Sequence, residues 1–116
     1  EVIDIIGHPD DGRYGPDYDI LARTARETGT LLEINNSSLR PGGFRENTYE
    51  NALEMLRCCK KYGTMVTLGS DAHVDVDIVN TEYSQRLLLE ADFPEELVAN
   101  TSLEKLLSVL KRRAWR

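Results

Sequence analysis

The stretch that decides the fold is residues 2–29. Val2-Ile3-Asp4-Ile5-Ile6 runs into Gly7-His8-Pro9, the loop Asp10-Asp11-Gly12-Arg13-Tyr14-Gly15-Pro16 follows, and Asp17 opens a segment that closes at Gly29. The apolar run has the length of a buried strand and stops at a turn. Asp17 has the chemistry of a helix N-cap, and Gly29 that of a C-terminal stop. Between them the helix reaches about Thr28, with Ile20 or Leu21, Thr24 or Ala25, and Thr28 along one stripe. The unit is β, loop, α.

The same rhythm continues outward. Thr30-Leu31-Leu32-Glu33-Ile34-Asn35 predicts a second strand, which breaks at Asn36-Ser37-Ser38 and a Pro-Gly-Gly loop at positions 41–43. A helix over about Glu46 to Tyr62 places Tyr49, Ala52, Leu53, Leu56 and Cys59 at helical spacing, with Gly63 closing it. Thr64-Met65-Val66-Thr67-Leu68 predicts strand three, which ends at Gly69-Ser70-Asp71-Ala72-His73. A helix from about Thr81 to Ala91 presents Tyr83, Leu87 and Leu88 or Glu90. Leu97-Val98-Ala99-Asn100 predicts a short fourth strand. Thr101 or Ser102 then caps a last helix, whose apolar face is Leu103, Leu106, Leu107 and Leu110. Four such units imply an α/β fold with a parallel sheet and right-handed crossovers, in which function gathers at the carboxyl ends of the strands.

Size and charge narrow the classes. The 116 residues carry a net charge of −6, enough for one modest core but roughly half the ~250 residues of a complete βα barrel. The chain begins at Glu1 and enters an apolar run at once, which suggests a cut made before a strand. No apolar run approaches the ~18 residues of a membrane span. Residues 1–103 hold 9 basic and 19 acidic groups, so a nucleic-acid footprint is not expected. The basic tail Lys111, Arg112, Arg113 and Arg116 complements the negative end of the last helix. Cys58 and Cys59 are the only cysteines; adjacent on a helix they cannot form an ordinary bridge, which fits a reducing, cytoplasmic setting. Cys59 reads as a core residue and Cys58 as its flank neighbour.

Both histidines stand at strand ends, His8 after the first strand and His73 after the third. Asp71 precedes His73 by two residues, so in extended chain the two side chains leave one face about 6 to 7 Å apart. Carboxylate oxygen with imidazole nitrogen suits zinc, manganese or iron. A solvated Asp-x-His loop and a plain His-Pro turn are the competing readings. Glu33 and Asn35 alternate on strand two, and a carboxylate within a strand needs a partner or a cation. Asn36, Ser37 and Ser38 at its mouth offer donors to phosphate oxygens, as well as the polar groups that any turn requires.

Other chemistries are excluded by pattern. The spacing of Asp71, His73, Asp75, Asp77 and Glu82 imitates a calcium loop, but Val76 stands where Gly is needed and a strand precedes where a helix belongs. The sequence contains no G-x-G-x-x-G, Walker loop, G-x-S-x-G elbow, C-x-x-C or H-E-x-x-H, which disfavours dinucleotide oxidoreductases, P-loop NTPases, α/β-hydrolases and thioredoxin-like proteins.

In order along the chain, Asp4-Ile5-Ile6-Gly7-His8-Pro9, Leu32-Glu33-Ile34-Asn35-Asn36-Ser37-Ser38 and Leu68-Gly69-Ser70-Asp71-Ala72-His73 resemble the PHP (polymerase and histidinol phosphatase) superfamily, and within it the YcdX-type phosphatases. Phe93-Pro94-Glu95-Glu96, then Asn100-Thr101-Ser102 and an amphipathic terminal helix, are similar to the end of those proteins. The resemblance implies that residues 1–116 are the C-terminal part of a single PHP domain, about four βα units forming the second half of a distorted, seven-stranded TIM-like barrel. It implies a trinuclear zinc or manganese cluster with His8, Asp71 and His73 among its ligands; it assigns no ligand role to Glu33.

The implied function is metal-dependent hydrolysis of phosphate esters, in which divalent metals neutralise phosphate oxygens and activate water. The substrate would be a phosphorylated small molecule, with Asn36 and Ser37 as candidate substrate-binding residues. The family's opening His-x-His strand end, its further histidines and its bridging Glu have no counterpart here, so the chain supplies only part of the ligand set and metal affinity is expected to be weak. The partner implied is the N-terminal half of the barrel. Open sheet edges otherwise predict self-association. The alternative from another class is a non-catalytic PHP-like module that binds a phosphate-containing ligand or a partner protein.

Overall fold

A computed structural model describes residues 3–42 and 47–110. Its elements, in chain order, are β1 (Ile5–Ile6), α1 (Tyr18–Thr28), β2 (Leu31–Asn35), α2 (Thr48–Tyr62), β3 (Val66–Gly69), α3 (Glu82–Glu90) and α4 (Leu103–Val109), with single 3-10 turns at Ser37–Leu39, Asp75–Asp77, Glu95–Leu97 and Ala99–Thr101. The fold is α/β. Its parallel sheet has the order β1-β2-β3, with Ile5 opposite Leu31, Leu32 opposite Val66 and Asn35 opposite Gly69.

Strand alternation divides β2 between two environments. Leu32 and Ile34 point to the helices and join Ala22 and Ala25 of α1 and Met55 and Leu56 of α2 in the core, with Val66 from β3. Leu31, Glu33 and Asn35 occupy the opposite face, where Leu31 and Asn35 are also buried. A central parallel strand buried on both faces is the expected outcome when helices cross over between strands.

The helix ends follow local chemistry. Asp17 accepts from the Ile20 amide at 3.1 Å and Ser102 accepts from the Lys105 amide at 3.1 Å, each satisfying an amide that the helix leaves open. Gly29 and Gly63 take the left-handed conformation after α1 and α2 and return their amides to Ala25 and Cys59. Thr81 makes no side-chain cap on α3; the Asn36 side chain, from the mouth of β2, accepts from the Ser84 amide at 3.0 Å instead.

Several expectations are corrected. Of the α1 stripe, the alternatives Leu21 and Ala25 pack into or against the core together with Tyr18 and Ala22, whereas Ile20, Thr24 and Thr28 are exposed. Periodicity gives the spacing of a stripe but not its phase, and the short alanines let α1 approach α2. Tyr49 is exposed, and Met55 and Cys58 are buried beside Ala52, Leu56 and Cys59. The expected start of α2 at Glu46 falls outside the described residues, as do Val2 and the basic tail at positions 111–116.

Leu97–Asn100 is not a fourth strand. Two 3-10 turns flank Val98, which makes a single parallel bridge to Val66. The Asn100 amide takes the place of a neighbouring peptide: its Oδ1 accepts from the Leu68 amide at 2.9 Å and its Nδ2 donates to the Leu68 carbonyl at 2.8 Å. A side chain thus completes the edge where a strand would have continued. On α4, Leu103 is exposed, and Leu106, Leu107 and Leu110 are only half-buried.

Candidate functional site at the strand ends

Three consecutive strands deliver three turns to one end of the sheet: Gly7-His8-Pro9 after β1, Asn36-Ser37-Ser38 after β2, and Ser70-Asp71 after β3. His8 and Asp71 both have positive φ, 34° and 50°. Non-glycine residues occupy that region at a cost that the surrounding structure must offset. Here the offset is a hydrogen-bond relay from the polar face of β2.

The centre of the relay is Glu33. Its Oε1 accepts from the His8 backbone amide at 2.9 Å and from Asn35 Nδ2 at 3.1 Å. Asn35 Nδ2 also donates to Asp71 Oδ2 at 3.3 Å, and its Oδ1 accepts from the Ser38 amide at 2.9 Å. Two residues, two positions apart on one strand, thereby join the turns after all three strands. Ser37 Oγ donates to the Ser70 carbonyl at 2.8 Å and lies 3.3 Å from that of Asp71. The Asn36 amide closes the set on the Gly69 carbonyl at 2.8 Å.

The loop after His8 is anchored from the helix side. Tyr18 Oη donates to the Pro9 carbonyl at 2.7 Å, and Asn51 Nδ2 donates to the Asp10 carbonyl at 3.0 Å. Asp10 and Asp11 are buried beneath the turn, and Asp11 is held by Arg13 through the backbone amide and a forked guanidinium contact. Burial, reinforced by the negative fields of Asp10 and Asp11, pushes the Tyr18 phenol up to about 12, so Tyr18 remains a donor at neutral pH. These buried aspartates were missed by sequence reasoning. Two consecutive acids directly after a His-Pro turn are the signal available for them.

Of the candidate ligands, His8 is half-buried, and its Nδ1 has no partner among the described residues. Asp71 is half-buried and touches the relay through Asn35. His73 is exposed, with its Nδ1 on the Asp71 carbonyl at 2.9 Å. A carbonyl only accepts, so Nδ1 carries the proton and the neutral imidazole keeps its lone pair on Nε2, the arrangement commonly seen in metal-binding histidines. The donor chemistry fits a divalent cation. The number of donors falls short of a cage: among the described residues no group of three or more His, Cys, Asp or Glu side chains is gathered to hold a metal ion.

Asn36 and Ser37 take different positions. Asn36 is fully buried, with Oδ1 committed to α3 and Nδ2 without a partner among the described residues. Ser37 uses its hydroxyl proton on the loop of β3. Burial pushes the Cys59 thiol up to about 12, and Cys58 is raised as well, mainly by burial. Neither is prepared for nucleophilic work.

A protein named probable phosphatase from Caldicellulosiruptor bescii is 44% identical over 109 residues, covering 94% of this chain and 44% of that protein. Another of the same name from Caldicellulosiruptor saccharolyticus is 42% identical over 106 residues, 91% of this chain and 43% of the relative. A third, from Acetivibrio thermocellus, is 37% identical over 114 residues, 98% and 46% respectively. The chain's relatives are probable phosphatases. The similarity supports a phosphatase family and covers at least nine-tenths of the chain. The chain spans a little under half the length of these curated relatives. No protein-family model matches it. Among the described residues no helix is long and apolar enough to cross a membrane.

Proposed function

We propose that this chain is the C-terminal part of a metal-dependent phosphatase of the PHP type, with His8, Asp71 and His73 as ligands in a zinc or manganese cluster that acts on phosphate esters. The observation that carries the reading is the relay that ties the His8 turn to the Asp71 carboxylate through Glu33 and Asn35, in a chain whose relatives are named probable phosphatases. Bound divalent metal would supply charge neutralisation for a phosphate ester and activation of water.

The chain's own residues have separate tasks in this reading. His8 offers Nδ1 from a turn clamped by Glu33 and Tyr18. Asp71 offers a carboxylate oxygen next to Asn35, and His73 offers Nε2 because its Nδ1 proton is held by the Asp71 carbonyl. The Asn36 Nδ2 group is the donor left to a substrate oxygen, whereas Ser37 shapes the loop that carries Asp71. The phosphorylated substrate is taken to be a small molecule, met in the cytoplasm.

The remaining ligands, and the cover for the exposed sheet edge, belong in this reading to the N-terminal half of a TIM-like barrel. That assignment is supported by the chain spanning 43–46% of its relatives. The incomplete cage among the described residues favours one rival, a non-catalytic module that binds a phosphate-containing ligand or a partner protein.

Phosphate release from a panel of phosphomonoesters separates the two, measured on zinc- or manganese-loaded protein of the length its relatives share. Turnover abolished by His8→Ala supports the hydrolase. A metal-loaded protein that binds phosphate esters but releases no phosphate supports the module. Unchanged metal content after His8→Ala would refute the ligand assignment.

A further inference from the structure

We propose that Glu33 is a positioning residue, holding His8 and Asp71 in ligand geometry as an uncharged-replaceable hydrogen-bond acceptor rather than as a ligand itself; this rests on the metal-site reading above. Three observations converge on it. Glu33 Oε1 accepts from the His8 backbone amide, not from its imidazole, so the carboxylate fixes the turn while leaving the ring free. The same oxygen accepts from Asn35 Nδ2, which orients the amide whose other proton reaches Asp71. The strand ends also make room for the carboxylate: a Cβ on Gly69 would overlap Glu33 Oε2, and one on Gly7 would lie 3.8 Å from Oε1.

The glycine at the end of β3 is therefore a seat for a side chain of β2. Its close approach requires the absence of a side chain, not an unusual φ. Because Oε1 alone serves both the His8 amide and the Asn35 amide, a neutral carbonyl in the same place can accept both bonds. That property distinguishes a positioning residue from a base, which needs the charge, and from a carboxylate ligand, whose hold on zinc or manganese weakens when it becomes an amide. Removing a group that orients metal ligands typically weakens binding about 10- to 100-fold.

The test is titration of the metal-free full chain with cobalt(II) chloride, following the visible absorption of the bound ion, for wild type, Glu33→Gln, Glu33→Ala, Gly69→Ala and His8→Ala. Hydrogen exchange at the His8 amide is measured alongside, and thermal unfolding confirms that each variant is folded. The expected result is affinity and spectrum near wild type for Glu33→Gln, and a loss of about 10- to 100-fold for Glu33→Ala. His8 amide exchange should be faster in Glu33→Ala and in Gly69→Ala, where the new methyl displaces the carboxylate.

If Glu33→Gln loses as much affinity as Glu33→Ala, the charge itself is required and the proposal is overturned. It also fails if Glu33→Ala binds as wild type while His8→Ala is weakened. Unchanged affinity in His8→Ala refutes the metal reading itself, whatever Glu33 does. Should Glu33→Ala not fold, Gly69→Ala and Glu33→Gln still decide: slow His8 exchange in Gly69→Ala, or fast exchange in Glu33→Gln, counts against the role.

Discussion

The two sides of β3 differ in kind. Toward β2, the strand ends are a closed polar assembly in which Asn35 uses its carbonyl and both amide protons, and Glu33 joins His8 to Asp71. On the other side, beyond Val98, the surface is apolar and open: Ile78, Val79 and Leu89 are all more than 60% exposed. An open groove of about 910 Å³ lies along it, lined in part by Leu68, Leu88, Phe93 and Val98. Exposed apolar side chains gathered along a groove make a surface at which association can occur. The difference teaches that a candidate site can be internally organised on two or three strands beside an apolar surface that stays open among the described residues.

The comparison can be broken first at its foundation, the core shared by β2, α1 and α2. Met55 is fully buried there, and Met55→Ala is expected to cost about 2–5 kcal/mol in urea unfolding, the range for truncating a large core side chain. A cost below 1 kcal/mol would mean that the first region is less tightly packed than described. Next, Asn36→Ala removes the bond that the Ser84 amide makes across the molecule, leaving a buried donor unpaired at a cost of about 1–3 kcal/mol. Faster hydrogen exchange confined to the first turn of α3 would confirm that this helix is capped from β2 and not from its own Thr81.

A smaller effect concerns pH. Hydrogen bonds from Tyr62 and Lys61 hold the Asp19 carboxyl below its usual value of 3.8. A carboxyl depressed in the folded state contributes stability that is present above the unfolded pKa and lost as pH falls through the folded one. Asp19→Asn should therefore lower the neutral plateau of the melting temperature slightly and flatten its decline below about pH 4, so that variant and wild type converge at low pH. Asp19 is an exposed surface group, so the change is a modest one.

The smallest effect on stability, and the one most telling for the apolar side, is Val79→Ser. This residue is 85% exposed, and its replacement should change unfolding by no more than about 0.5 kcal/mol. Self-association measured by light scattering should nevertheless fall. A wild-type chain that is already monodisperse as a monomer would show that the exposed apolar surface does not drive association.

Much of the polar side was legible along the chain. Asp17, Gly29, Gly63 and Ser102 act as caps and stops where their local chemistry predicts, because capping depends on atoms three or four residues away. The ends of β1, β2 and β3 were likewise readable, and the two histidines and Asp71 lie on the turns expected for them. Less was legible where a contact joins residues far apart. The phase of α1, with alanines inward and Ile20 outward, depends on how closely α2 approaches. The fourth strand failed because Asn100 supplies the hydrogen bonds of a neighbouring peptide from its side chain, which propensity for Leu97 and Val98 does not register.

The βα order, the helix caps and the placing of the candidate residues at the carboxyl ends of strands thus came from local sequence, since each depends on periodicity and short-range hydrogen bonds. The meaning of Glu33 did not. Within a strand it could face the sheet interior or the helices and needs a partner or a cation, and parallel pairing supplies a hydrogen-bond partner. That pairing brings Gly69 beneath its carboxylate and the His8 amide onto its oxygen, from positions 36 and 25 residues away in the chain. Contacts between residues that distant exist only once the sheet register is set.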